Sequence, residues 1–514
     1  MKKISKDQNK TLLSKRDIRQ ISRLGLDIEA VDLQLLKYRR GVNCLKLIRP
    51  CSINDGIISL THLQGKKLVS YYEQHSTMYT WVKFVPASGA ASRMFADWFS
   101  LMKMDDLKSS AINHFFNNFR KYPFYQIIKN NREALNYVKQ KNLRSLLSYL
   151  LTDQGNGLNL GWLPKALIPF HLDKDNKVRT ALEEHLFEGG QYLRGADNRC
   201  CIHFTVSPEH QRTVFEKINA LKSQYENIFQ TIYHISLSIQ LPSTNVVAAD
   251  DNNLPLRDDS GKLIFRPGGH GALLSNLQNL DADFIHIKNI DNVAPEHVLR
   301  KNIFYKKILA GMAMVLREKI CANMYELKSE KINTRKLDEM MAFCSKELNI
   351  GFPENFIRYS KKEKIKLLFS AFNRPLRVCG MVRNEKEPGG GPFWVEGKDG
   401  HQTIQIVEGA QVDQMQKEQN HIWRRSKYFN PVDMICSTRN YKGDQFNLSD
   451  FVDHDAYLIT EKFEKGRRVK ALEVPGLWNG TMARWNTVLV RLPLIVFNPV
   501  KTIDDLLRPE HQEA

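Results

Sequence analysis

Apolar runs are short throughout this 514-residue sequence, and none approaches the ~18 residues that a membrane-spanning helix requires. A helical membrane span is therefore not expected. The N-terminus, MKKISKDQNKTLLSKRDIRQISRLG, is basic but has no apolar centre, so it does not read as a secretory signal. The eight cysteines include no Cys-x-x-Cys pair, and Cys200 and Cys201 are adjacent. That pattern argues for reduced thiols in a cytoplasmic protein and against a disulfide framework. Internal repeats and low-complexity tracts are missing, as are a recognition helix, a zinc finger and an RNP signature. These last absences bear on the net charge of +19. The lysines and arginines are scattered, with modest clusters at Lys2–Lys3, Lys361–Lys366 and Lys465–Lys470. A nucleic-acid partner is not expected. The charge reads as a solvated surface, with polyanionic small molecules such as nucleotides as its candidate partners.

What is present describes an ordinary globular chain, with 42% hydrophobic and 25% charged residues. Its length exceeds one usual domain of ~100–200 residues. Residues 1–80 read as a mostly helical region, because Ile18, Ile21, Leu24, Ile28, Val31 and Leu35 recur at three- and four-residue steps. From 81 to 400, short strands alternate with helices, which predicts an α/β fold with a mostly parallel sheet. Helical stretches at 96–160 and 296–370 read as insertions into it, and 401–514 as a third part. In the helix after Val178, Glu184 and Glu188 form an i,i+4 face without a second histidine at ligand spacing, which reads as structural. The acidic stretch at Asp250, Asp251, Asp258 and Asp259 does not fit EF-hand spacing and reads as a turn in a polar loop. PGGGPFWVEG at 388–397 reads as a flexible loop with an aromatic tip.

The most informative stretch runs from Phe265 to Asn292, FRPGGHGALLSNLQNLDADFIHIKNIDN. A turn of Pro267, Gly268, Gly269, His270 and Gly271 leads into a helix with Leu273, Leu274, Leu277 and Leu280 on one face. A strand over 284–290 then ends on Asp291 and Asn292. A glycine turn that opens a helix brings backbone N–H groups close to a nucleotide. An acid at the carboxyl end of a strand sits where open α/β sheets bind ligands. Upstream, a strand over 82–85 is followed by Ser88, Gly89, Ala90, Ala91 and Ser92, small residues that let a phosphate approach the main chain, with Arg93 as a neutralising charge. Beyond the Gly155-Asn156-Gly157 loop, Lys165 follows Pro164 as a candidate fixed cation. Gln240 ends another strand, and its amide can pair with a donor and an acceptor on a base edge.

Taken in order, SGAASRM, Pro164-Lys165, Gln240 with Pro242, PGGHG at 267–271, Asp291-Asn292, Glu408, Asn430 and NPVKTIDDLL at 498–507 resemble the motifs of the UDP-sugar pyrophosphorylases. That family comprises the UTP–glucose-1-phosphate and UDP-N-acetylglucosamine uridylyltransferases. Within it, the chain is similar to a bacterial branch known as domain of unknown function 4301. The resemblance spans residues 81–507 and implies a Rossmann-like nucleotidyltransferase fold of the GT-A type with helical insertions. It also implies in-line transfer, in which a sugar-1-phosphate oxygen attacks the α-phosphorus of a nucleoside triphosphate, UTP foremost, and pyrophosphate leaves. By the same resemblance Asp291 would hold Mg²⁺, Arg93 and Lys165 would stabilise the pyrophosphate, and Lys501 would hold the phosphate of the second substrate. Ser88, Gly89 and Ala90 would line the nucleotide. Gln240, with the Gly269 and Gly271 backbone, would meet base and ribose, and His270 would lie near the phosphates. Glu408 and Asn430, with Asp433 as a further candidate, would accept sugar hydroxyls. Two departures stand out. The phosphate loop keeps only Gly89 where the family has three glycines, and Pro164-Lys165 follows it by roughly seventy residues, a loop length that closure entropy tolerates. The thinned loop leaves a second possibility, a protein of the same fold that senses a nucleotide or nucleotide sugar.

Overall fold

The computed structural model describes residues 13–512, apart from 105–108, 154–155, 330–331, 353–357, 386–388, 398–399 and 465–466. The basic residues before Leu13, Gly155, Pro388 and the start of the Lys465–Lys470 cluster therefore lie outside the described residues. A ten-stranded sheet runs through the chain. Its main path is Ser52–Ile53, Gly56–Ile58, Asn486–Arg491, Leu376–Arg383, Asp433–Ser437, Phe284–Lys288, Trp81–Pro86, Arg199–Val206 and Ile232–Ile239. Asp433–Ser437 runs antiparallel to both of its neighbours, and every other pairing along this path is parallel. The mostly parallel α/β sheet read from the alternation of elements is the observed fold.

Both faces of this sheet are covered, and strand alternation decides which residue meets which layer. Phe284 faces a large core with Leu186 and Leu309, from the helices Ala181–Tyr192 and Glu296–Leu327. Ile285 and Ile287 face the other way, onto a core with Leu273, Leu277 and Met482. The first helical insertion packs on itself through aromatic rings, with Trp98 edge-on to Phe115, Tyr122 and Phe124. Its later helices, Arg132–Lys139 and Leu143–Leu151, are capped by Asn131 and Asn142, whose side chains accept from backbone N–H groups of the first turn. The stretch expected as a second insertion contains Glu296–Leu327, Thr334–Glu347 and Lys361–Phe372, of which Glu296–Leu327 packs on the central sheet.

Several local expectations differ from what is found. Residues 13–80 contain the helices Lys15–Arg23 and Ile28–Arg40, but also the strands Lys46–Pro50, Ser52–Ile53 and Gly56–Ile58. The periodic run is split at Gly25, which sits at φ +68, and Ile18 and Leu24 are left exposed. The polar loop after Gln240 contains a strand, Val246–Ala249, in a four-stranded sheet with Phe265–Arg266, Arg467–Glu473 and Leu458–Glu464. Within PGGGPFWVEG, residues Gly391–Glu396 form a strand between Lys46–Pro50 and Gln402–Val407, and Phe393 is buried, so no aromatic tip is presented. The helix after the glycine turn is short: a 3-10 turn His270–Leu273, then Leu274–Gln278.

Candidate active site

The parallel strands deliver the motif residues to one edge of the sheet, the carboxyl edge. Trp81–Pro86 ends there, and Ala87 N–H still donates to Thr205 O at 2.8 Å before the chain turns into Ser88–Ala90. The helical insertion leaves at this point and returns alongside its own start. Ala90 and Pro164 form an antiparallel bridge, Lys165 N–H donates to Gly89 O at 3.0 Å, and Ala91 N–H donates to Leu163 O at 3.1 Å. Residues far apart in the chain are thus neighbours in space. Gly89 itself has no conformational requirement of its own, and a Cβ placed there would meet nothing within 4 Å, so the loop is open on that side.

Phe284–Lys288 ends at the same edge, and the C-terminal segment is fastened across it. Asn292 and Pro499 form an antiparallel bridge, Val500 N–H donates to Asp291 O at 2.9 Å, and Asn498 N–H donates to Asn292 Oδ1 at 3.0 Å. Lys165 Nζ donates to Asp291 Oδ2 at 3.0 Å and to Val500 O at 3.0 Å. The pair is partly open, with side-chain exposures of 13% for Lys165 and 23% for Asp291. Ile503 N–H reaches back to Met94 O at 3.1 Å, beside the exposed Arg93. Asp505 Oδ2 accepts from the Lys501 and Thr502 N–H groups at 2.8 Å each, which holds the backbone at Lys501. The segments carrying Gly89, Arg93, Lys165, Asp291 and Lys501 are therefore bonded to one another, with the Lys165 ammonium held between one carbonyl and one carboxylate.

A second group gathers around the glycine turn. Here the glycines answer to packing against residues 473–478. A Cβ at Gly271 would lie 1.9 Å from Pro475 O, and one at Gly268 would lie 2.7 Å from Thr244 O. Gly269 takes φ +79, where side chains are disfavoured. The His270 ring stacks on Trp478 at 4.2 Å between centroids, and its Nδ1 accepts from Leu477 N–H at 3.0 Å. Burial holds the imidazole below its ordinary pKa against the charges of Glu408 and Glu473. With Nδ1 accepting, the neutral ring carries its proton on Nε2, 4.0 Å from Glu408 Oε1. Gln240 follows the strand Ile232–Ile239, and its Nε2 is buried without a hydrogen-bond partner among the described residues.

Two expected sugar contacts are placed otherwise. Asn430 is buried; its Oδ1 accepts from Val432 N–H at 2.8 Å and its Nδ2 donates to Gly380 O at 3.3 Å. Its amide thus holds the loop in which Val432 takes φ +56, a costly conformation for a β-branched residue. Asp433 does not face the site at all. It lies under the sheet in an ionic cluster whose members are all 0–1% exposed at their side chains. There His286 Nε2 meets Asp433 Oδ1 at 2.6 Å and Lys306 meets Asp433 Oδ2 at 2.7 Å. Glu188 lies 2.9 Å from Lys306, 2.8 Å from Lys288 and 3.1 Å from Lys83. Burial by itself raises the Glu188 and Asp433 carboxyls, but the surrounding cations outweigh it and hold both well below the usual range. Burial pushes Lys288 down to about 7 against the pull of Glu188. This cluster forms the floor beneath Asp291, three residues on from Lys288 in the chain. Sequence reasoning passed over it, although a lysine within an apolar strand, as in WVKFVP and FIHIKNI, is the signal that points to it. It also passed over Trp478, which no motif marks.

No curated protein matches the chain. Among solved structures, the chain is similar to a variant of the UDP-glucose pyrophosphorylase from Leishmania major, at 14% identity over 96% of this chain and 79% of that one, with a TM-score of 0.45. It is similar also to the uridine diphosphate N-acetylglucosamine pyrophosphorylase from Trypanosoma brucei, at 12% identity over 96% and 79% of the two chains, with a TM-score of 0.48. The family model described as a domain of unknown function, DUF4301, matches residues 14–512. The chain belongs to the DUF4301 family.

Proposed function

We propose that this protein is a nucleotidyltransferase that makes, or in reverse cleaves, a nucleotide sugar from a nucleoside triphosphate, UTP foremost, and a sugar-1-phosphate. One observation carries this reading. Motifs at 88–93, 164–165, 291–292 and 498–505, up to several hundred residues apart, are bonded to one another at the carboxyl edge of the sheet, with Lys165 held between Asp291 and Val500. The transfer needs no protein nucleophile, so the chain supplies position and charge. In this proposal Lys165 and Arg93 meet the pyrophosphate as it leaves, and Lys501 holds the phosphate of the incoming sugar. The unpartnered Gln240 amide reads the base edge beside the glycine turn. The Nε2–H of His270 and the Glu408 carboxylate meet polar groups of the second substrate.

Asp291 offers one carboxylate at the centre, and among the described residues no group of three His, Cys, Asp or Glu side chains forms a metal cage. A single carboxylate fits Mg²⁺, which keeps several waters and takes further oxygens from substrate phosphates. Asp291 would hold it, and when bound it neutralises charge on the phosphate oxygens. The binding-protein alternative is favoured by one feature, the single glycine of the phosphate loop. A pyrophosphate-release assay across nucleoside triphosphates and sugar-1-phosphates decides between them. Turnover that disappears in Asp291→Ala supports the enzyme, whereas saturable nucleotide-sugar binding with no turnover in any pair supports the sensor.

A further inference from the structure

A cavity of about 770 Å³ lies at the other end of the same strands, at their amino edge, within the size range of small-molecule sites. One wall is the end of the second helical insertion, where Lys361–Phe372 gives way to Arg374; another is the entry to the strand Asn486–Arg491. That strand alone spans about 17 Å at ~3.3 Å per residue, so the cavity is separate from the carboxyl-edge constellation.

Its lining is unusual in two independent ways. First, buried polar atoms without a protein partner concentrate here. Trp485 Nε1, both amide atoms of Asn486 and Asn349 Nδ2 have no hydrogen bond among the described residues. Trp485 is 4% exposed and Asn486 2%, positions at which polar groups are normally paired. Second, two arginines line the cavity, and no described carboxylate lies within ion-pair distance of either. Arg374 donates through Nε to Ser370 O at 3.0 Å, and neither it nor Arg484 makes an ion pair with any described residue. The carboxylate in the lining, Asp450, accepts from Asn447 Nδ2 at 2.9 Å. Burial pulls Arg374 below its ordinary pKa, and the nearby charge of Arg484 adds to this, against Cys344. Two guanidiniums left to repel each other match a dianion better than a singly charged carboxylate, because each can make paired N–H bonds to phosphate oxygens.

We propose that this cavity binds a phosphate monoester with a planar or apolar body. The phosphate sits between Arg374 and Arg484, the body lies against Phe369 and Phe451, and the Trp485 and Asn486 side chains take its polar groups. This gives the second helical insertion a task, that of walling a ligand site, and it does not depend on the transferase reading.

The test is isothermal titration of the full chain with phenyl phosphate. Saturable binding at one site per chain is expected, weakened by about tenfold or more in Arg374→Gln/Arg484→Gln, a change of about 1.4 kcal/mol per tenfold, and unchanged in Lys165→Met. Arg484→Gln alone, at an exposed side chain without a hydrogen-bond partner among the described residues, keeps the fold intact and should weaken binding in the same direction. The proposal is overturned if phenyl phosphate gives no saturable heat, or if the double variant binds as the parent does. Loss of binding in Lys165→Met would also overturn it, since that places the ligand at the carboxyl edge. So would equal affinity for inorganic phosphate or benzoate, since either removes the ester and its body from recognition.

Discussion

Glu188→Gln keeps the shape of a side chain and removes the charge that three buried lysines share. In the parent, Glu188 accepts from Lys288 through both oxygens, at 3.0 and 2.8 Å, and from Lys83 at 3.1 Å, while Lys306 lies 2.9 Å away. After the substitution Lys306 keeps Asp433 at 2.7 Å and Lys83 keeps the carbonyl of His185 at 3.1 Å. Neither Lys83 nor Lys288 keeps a carboxylate partner among the described residues. Breaking one side of a buried ion pair costs about 3–5 kcal/mol, far more than the intact pair contributes over an apolar replacement. The loss should appear as a lower urea midpoint at unchanged slope, followed by tryptophan fluorescence and circular dichroism. Adding Lys83→Met and Lys288→Met to the same chain should restore most of it, because both unpaired cations go and their aliphatic volume stays. A midpoint shift worth less than about 1 kcal/mol would show that the lysines need no anion, and the account of the floor would fail.

The same cluster sets a pH dependence. The ordinary values for Glu188 and Asp433 are 4.5 and 3.8, and their folded values lie below these, so the unfolded chain binds more protons in acid and stability should fall as pH drops through and below that range. Lys288 acts at the other end: its cost is complete below about pH 7 and is relieved toward its ordinary 10.5, so urea midpoints should gain from it across that window. Gly271→Ala places a Cβ 1.9 Å from Pro475 O and should lower stability by about 1–3 kcal/mol, whereas Gly89→Ala meets nothing within 4 Å and should leave the melting temperature in place while weakening triphosphate binding. Equal melting shifts in the two variants would refute the contrast. Asp291→Ala removes a partly open pair worth roughly 0–1 kcal/mol, so it should abolish Mg²⁺-dependent turnover with little loss of fold; retained turnover would remove Asp291 from the chemistry.

The elements that could be read from the chain are those whose signal is local. The strand around Val82–Val85 and the strand ending before Asp291 show as apolar runs bounded by turns, and they stand as Trp81–Pro86 and Phe284–Lys288. Pro164-Lys165 could be recognised as a motif, but its position beside Gly89 depends on an insertion folding back on its own start. What was not legible depends on partners far away. Lys46–Pro50 is a strand because residues 393–396 pair with it. Gly268 and Gly271 are needed because residues 244 and 475 crowd them, and neither neighbour is visible in PGGHG itself. The resemblance gives Asn430, and Asp433 as a further candidate, to the sugar, yet which way a side chain points is settled by the layers covering the sheet. Asp433 points to Lys306 and His286 instead.

The hydrogen bond from Lys165 to Asp291 has a consequence for the order of events. The carboxylate oxygen on which a divalent cation would settle already has an occupant, a cation belonging to the protein. A metal ion arriving alone would have to evict the ammonium and leave it facing two like charges. A triphosphate would offer the Lys165 ammonium a new anion, which would leave the Asp291 carboxylate to hold Mg²⁺ at nearly constant local charge. In the proposed enzyme, metal and nucleotide would therefore enter as one species, and affinity for either alone would understate affinity for both together.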